Sequence, residues 1–172
     1  KISKKFILIF LPPNQNPKTT KNFEYKSYLD LIEFIIIQVT RNNPTSKFIL
    51  HPRSRYLKKT LKKKFKKIDL VDGNYMEYLP QARICITWHS STIAKMLWMN
   101  KPILYYDPWF YKLKFPKDKL CVKIYKKKEF VKQIDLISKK NFLNKFKNYK
   151  KRKLEWEPSN FDPTNLLIKI IK

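Results

Sequence analysis

Arg83 to Asp107, RICITWHSSTIAKMLWMNKPILYYD, admits few readings. Arg83–Thr87 is a short apolar run with β-branched residues, and Ser90–Thr92 offers hydroxyl caps for a helix. Ile93, Met96 and Leu97 then recur at helical spacing. Asn100 follows, one of the few residues besides glycine that tolerates a left-handed helix end. Pro102 opens a second apolar run, Ile103–Tyr106. Strand, helix and strand in that order form a right-handed βαβ unit, and such units build parallel sheets. The turn Trp88-His89-Ser90-Ser91-Thr92 thereby lies at the carboxyl end of a strand and the start of a helix. Ligands of open α/β sheets bind at that place, where free backbone N–H groups and the helix dipole favour a phosphate.

The rest of the chain repeats the alternation. Strands are expected near 5–11, 47–51, 68–71, 83–87, 102–106 and 120–124. Helices are expected at Phe23–Arg41, Tyr56–Phe65, Glu129–Ile137 and Phe142–Tyr149, with helical turns at Tyr75–Leu79. In Phe23–Arg41, the residues Tyr28, Leu31, Ile32, Ile35, Ile36 and Val39 make one broad apolar face. Residues 155–172 read as an irregular crossing segment followed by a closing helix, Thr164–Ile171. A chain of 172 residues with 43% hydrophobic side chains can fill one core, and no linker divides it. The expected fold is therefore α/β, a single Rossmann-like domain over 1–172 with a parallel sheet of about six strands flanked by helices. In the common order 3-2-1-4-5-6 the first and fourth strands are neighbours at the switch point, and the loops after strands one, two, four and five share one rim.

Composition removes several alternatives. Gly73 is the only glycine, which excludes both a GxGxxG dinucleotide fingerprint and a Walker P-loop. No GxSxG elbow is present, so a nucleophilic serine is not expected. The net charge of +26 implies attraction to polyanions, although the same excess of Lys, Ile, Asn, Phe and Tyr is what AT-rich codon usage produces. The lysine runs Lys58–Lys67 and Lys145–Lys153 read as solvated faces; a partner for them would be an anionic inner membrane surface. Specific nucleic-acid recognition has no supporting module, whether RNP-like aromatic strand, zinc finger or helix-turn-helix. Cys85 and Cys121 fall in apolar runs without metal-ligand spacing, so both are expected reduced and structural, as in a cytoplasmic protein. No apolar run approaches the ~20 residues that span a bilayer. Lys1–Leu11 does not read as a signal peptide, and the absence of an initial methionine points to a fragment or a processed domain.

Candidate ligand-binding residues cluster at the expected rim. His51 and His89 each follow a strand that flanks the first, which places them about 10 Å apart across two strand spacings. They could contact phosphates, or one could cap a turn while the other packs on Trp88. Ser90, Ser91 and Thr92 exceed what a single helix cap needs and could bind a diphosphate. Lys95, one turn on, leans toward the helix N-terminus and could reach the same anion; the ordinary alternative is a solvated surface lysine. Arg53 and Arg55 suit phosphate because the guanidinium fork matches its oxygens. Asp107 and the aromatics Trp109, Phe110 and Tyr111 could hold a base or sugar, or form a loop packed on the core. No third ligand type joins the histidines, so a metal is not expected.

His89, Ser90, Ser91, Lys101 and Pro102 also carry a resemblance. The sequence resembles the C-terminal donor-binding domain of GT-B-fold glycosyltransferases of bacterial capsule and surface-polysaccharide synthesis. CDP-glycerol glycerophosphotransferases and nucleotide-sugar epimerases are more distantly similar. In those families a Ser-Ser or Ser-Thr turn starts a helix containing Glu-Ala, followed by Gly-Lys-Pro and a strand. Lys95 stands here where the family usually has the Glu that contacts ribose or sugar, and Asn100 stands for the Gly. The similarity extends more loosely over Phe48–Tyr106, including His51-Pro52-Arg53. It implies one half of a GT-B fold that binds a nucleotide-sugar or CDP-alcohol donor without a metal or other cofactor. His51, Arg53, His89, Ser90, Ser91, Thr92 and Lys95 would hold the phosphates, and Asp107 and Trp109 would contact base or sugar. The acceptor site, and usually the catalytic base, would come from an N-terminal half that is not in this sequence. The competing expectations are a basic α/β protein that binds nucleic acid or a membrane surface, and a degenerate, non-catalytic domain of the same fold.

Overall fold

Six short apolar segments pair side by side into one sheet in the computed structural model, which describes residues 6–14, 23–43, 45–71, 74–110 and 120–139. They are β1 (Phe6–Phe10), β2 (Lys47–Ile49), β3 (Asp69–Val71), β4 (Ala82–Thr87), β5 (Ile103–Tyr106) and β6 (Cys121–Ile124). Their order is β3-β2-β1-β4-β5-β6, and every neighbouring pair is parallel. This is the α/β, Rossmann-like parallel sheet expected from the alternating pattern.

Both faces of the sheet are covered, which is why its strands are apolar on successive residues rather than on alternate ones. Ile7, Ile9, Ile84, Ile86, Leu104 and Tyr106 point into one core. Phe6, Leu8, Phe10, Cys85, Ile103 and Tyr105 point into the other, as the two-residue side-chain period requires. The first core is closed by α1 (Tyr28–Asn42), α2 (Lys58–Lys64) and α4 (Lys127–Ser138), through residues such as Ile32, Ile36, Leu61, Phe130 and Ile134. The second is closed by α3 (Thr92–Trp98), with Ile93 and Met96, and by two 3-10 turns, Tyr75–Glu77 and Leu79–Gln81. After β3 the chain returns to the opposite flank of β1 to lay down β4. The crevice between the carboxyl ends of β1 and β4 is thus the switch point.

Several boundaries differ from the sequence expectation, each for a local reason. Helix α1 begins at Tyr28 rather than Phe23. Ser27 caps it, its hydroxyl accepting from the Asp30 N–H at 3.1 Å. Phe23 and Tyr25 lie before the helix and pack inward, Tyr25 bonded through its hydroxyl to that of Tyr106. The expected helix Tyr56–Phe65 is α-helical only from Lys58. Pro52–Leu57 forms a tighter 3-10 turn capped by His51, with Pro52 at its first position. Asn100 takes the left-handed conformation expected of it, with φ 51°. The segments Phe142–Tyr149 and 155–172 lie outside the described residues, as does most of the loop after β1.

Candidate functional site

Trp88, the first residue after β4, organises the rim at the switch point. Its indole is nearly buried and meets three rings edge-on: His51 at 6.2 Å, His89 at 6.0 Å and Trp109 at 6.0 Å between centroids. The two histidines therefore flank one tryptophan at the carboxyl edge of the sheet, as the position of each just after a strand implies. Beneath them lies a small apolar cavity of about 10 Å³, bounded by Phe10, Pro12, Ile86, Trp88 and Pro108, with room for roughly one water.

The protonation of the histidines follows from their contacts. His51 Nδ1 accepts from the backbone N–H of Arg53 at 3.2 Å, so in the neutral ring the proton sits on Nε2, a donor available at the rim. Burial and then the neighbouring Arg53 charge lower its pKa. His89 is exposed at the lip, but the protein packed beneath it still lowers its pKa, against an opposing pull from the carboxylate of Asp107. Both imidazoles are therefore neutral near pH 7, and each gains a proton more readily once an anion lies beside it.

The turn into α3 shows how its hydroxyls are used. Ser91 stands at the cap position of α3 but makes no side-chain capping bond, and Ser90 supplies the hydroxyl instead. The Ser90 hydroxyl accepts from the Thr92 N–H at 3.3 Å and shares a 2.9 Å bond with the Thr92 hydroxyl, while the Ser90 carbonyl accepts from the Ile93 N–H. Ser91 is exposed, and its hydroxyl has no partner among the described residues. One hydroxyl of the three is thus turned outward. Arg53 is exposed beside His51.

The remaining candidates are placed elsewhere. Lys95 is exposed, and its ammonium lies 5.2 Å from the Trp98 ring centre, toward the carboxyl end of α3. An available aromatic face one turn on holds it away from the Ser90–Thr92 turn. Trp109 is 1% exposed, stacked on Phe23 at 5.8 Å and wedged against Trp88. The stacking surface expected for a base or sugar is thereby occupied by the protein itself. Asp107 is also 1% exposed. Its backbone joins the Ile124 carbonyl and the Phe110 N–H, while its charge acts on His89 and Tyr105 from below. The contacts expected of Asp107 and Trp109 thus become support for the rim. Lys101 of the Lys-Pro pair is buried too, donating to the carbonyls of Pro80 at 2.6 Å and Ala82 at 3.0 Å, which fixes the turn Leu79–Gln81 to β4.

One group under the rim is not visible in the sequence. Tyr28 of α1 reaches the Pro12 carbonyl at 2.6 Å and the hydroxyl of buried Ser54 at 2.7 Å, and Ser54 accepts from the Asn14 N–H at 3.2 Å. Tyr28 has one proton and a carbonyl can only accept, so Tyr28 donates to Pro12 and Ser54 donates to Tyr28. The node clamps the segment after β1 to the turn that carries His51 and Arg53. Its hydroxyls join residues distant in the chain, so no local pattern announces it.

Among the described residues no three His, Cys, Asp or Glu side chains are grouped as a metal site, and no helix is long and apolar enough to cross a membrane. Comparison with protein-family models, with curated proteins and with solved structures returns no match.

Proposed function

We propose that this chain is the donor-binding domain of a glycosyltransferase of surface-polysaccharide synthesis, taking a nucleotide-sugar or a CDP-alcohol. The observation that carries the reading is the convergence of His51, Arg53, His89 and the Ser90–Thr92 turn around Trp88, at the switch point of an all-parallel sheet. A diphosphate there would accept from the N–H of each imidazole, from the Ser91 hydroxyl and from the Arg53 guanidinium, without a metal. The domain binds and orients the donor phosphates. The acceptor and the catalytic base belong to a separate N-terminal half, as in the GT-B arrangement that the sequence resembles. Calorimetric titration with UDP, CDP and GDP tests this. One of the three should bind, and His89→Ala should weaken it about tenfold, the value of one charge-assisted hydrogen bond. Equal, weak and salt-sensitive binding of all three, unchanged in His89→Ala, would refute it.

A second reading has an observation in its favour. Lys95 occupies the place of the family's acidic contact and lies along Trp98, so the domain could keep the fold of a donor half without its binding function. Absence of binding by every nucleotide diphosphate would select it.

A further inference from the structure

The basic side chains of the described residues are not spread evenly. Between Glu33 and Asp69 the sequence has no acidic residue. Glu33 is spent on Lys64 at 2.6 Å and Asp69 on Lys47, so neither offsets what lies between them. Arg53 and Arg55 project from the 3-10 turn Pro52–Leu57. Lys59, Lys62 and Lys63 cover the outer face of α2, and Lys66 and Lys67 follow in the turn beyond it. All of these are exposed and have no ion-pair partner among the described residues. The strip runs from the rim beside His51 along the β2–β3 side of the molecule.

Apolar groups accompany the charge. Tyr56, between Arg55 and Leu57, is 61% exposed, with its hydroxyl bonded by Asn14 and its ring face open. Ile37 is 46% exposed, one turn along α1 from the Glu33 that binds α2. Trp98, also exposed, lies on the opposite face of the sheet.

We propose that this strip, from Arg53 to Lys67 with Tyr56 among its first residues, docks on an anionic lipid surface. The inference rests on the distribution of charge and apolar exposure, not on the donor-site reading, and stands or falls separately. A lipid surface is favoured over nucleic acid by the shape and chemistry of the strip. Single-stranded nucleic acid is held in a groove lined by successive aromatic platforms, whereas this surface is a convex helix with one exposed ring. Most of the cations are lysines, compact point charges suited to a diffuse negative potential rather than to forked contact with single phosphates. A tyrosine among basic residues, polar tip beside an apolar ring, matches the headgroup boundary of a bilayer. Docked in this way, the molecule would hold the His51 rim beside the membrane surface.

Vesicle co-sedimentation of the whole chain tests this at about 0.15 M salt, with phosphatidylcholine alone or with roughly a third phosphatidylserine. Binding is expected only to the anionic vesicles. Each lysine near such a surface is worth about fivefold, so K59Q/K62Q/K63Q should lower the partition coefficient by about 100-fold. The charge-matched control K128Q/K132Q/K139Q, on exposed positions of α4 and just after it, should lower it less than about fivefold. Tyr56→Ser should weaken binding further without altering the salt dependence. Glutamine is nearly as good a helix former as lysine, and circular dichroism of the variants would show that they remain folded. Absence of binding to anionic vesicles overturns the proposal. So does equal loss in both triple variants, which would mean diffuse net charge. Tighter binding of a duplex or single-stranded oligonucleotide than of vesicles, abolished by K59Q/K62Q/K63Q, would assign the strip to nucleic acid instead.

Discussion

Removing the Ser54 hydroxyl should loosen the rim without touching any candidate ligand contact. Ser54 is fully buried. It donates to Tyr28 and accepts from the Asn14 N–H at 3.2 Å, so Ser54→Ala deletes two hydrogen bonds. Tyr28 keeps its donation to the Pro12 carbonyl, but the part-buried Asn14 N–H loses its acceptor. A lost bond costs about 1 kcal/mol, and a donor left without a partner about 1–3 kcal/mol. Asn14 is exposed, so water meets part of that penalty and the sum expected is about 2–3 kcal/mol, to which the small void left by one oxygen adds little. For a domain of this size that corresponds to a fall in Tm of roughly 4–12 °C. Tyr28→Phe removes the other side of the same node and leaves the Pro12 carbonyl bare, at similar cost. The double variant should be less destabilised than the sum of the two, by about 1 kcal/mol, because the Tyr28–Ser54 bond is counted twice. Urea denaturation of the four proteins supplies these values. The Tyr28 hydroxyl, held up to about 12 by burial, stays protonated throughout ordinary buffers, so pH does not confuse the comparison. Additivity of the two variants, or a Ser54→Ala cost within 0.5 kcal/mol of zero, would refute a clamp joining the segment after β1 to the His51 turn.

Two further outcomes follow from the same geometry. His51 and His89 have folded-state pKa values below the unfolded value near 6.5, so between those values the unfolded chain binds more protons. Stability should therefore be complete above about pH 6.5 and fall as the pH is lowered through the folded values, a slope that the His51→Gln/His89→Gln variant should flatten in urea titrations at pH 5 to 7. Lys101→Met strips the cation from the carbonyls of Pro80 and Ala82 and should cost about 2–3 kcal/mol, read as a lowered urea midpoint; an unchanged midpoint would mean that the buried ammonium is replaceable by packing.

Much of the fold was legible because parallel strands buried on both faces leave continuous apolar runs, such as Phe6–Phe10 and Ile103–Tyr106, separated by helices with one apolar side. The order of the strands is not written in any one of them; it follows from the handedness of their connections and from the common doubly wound arrangement. The start of α1 is not marked by its apolar spacing, which Phe23 and Tyr25 continue, although the Ser27 cap directs them into the core before the helix begins. The histidines were found at one rim because each follows a strand next to β1. Trp88 as their common neighbour, and the Tyr28–Ser54–Pro12 node, depend on contacts between residues far apart in sequence. Lys95 shows the limit of helical geometry as a guide: the lean of side chains toward the N-terminus favours the anion turn, yet a ring one turn ahead holds the ammonium in the other direction.

Nuclear magnetic resonance mapping of nucleotide diphosphate binding tests the functional reading most directly. With UDP, CDP or GDP added, the backbone amides of Ser90, Ser91 and Thr92 and the imidazole signals of His51 and His89 should move together along one saturating curve. The imidazole pKa values should rise on binding, since an anion beside them favours the charged form. Shifts confined to the lysines of α2 and α4, growing linearly with nucleotide and vanishing in salt, would contradict a donor site at the switch point.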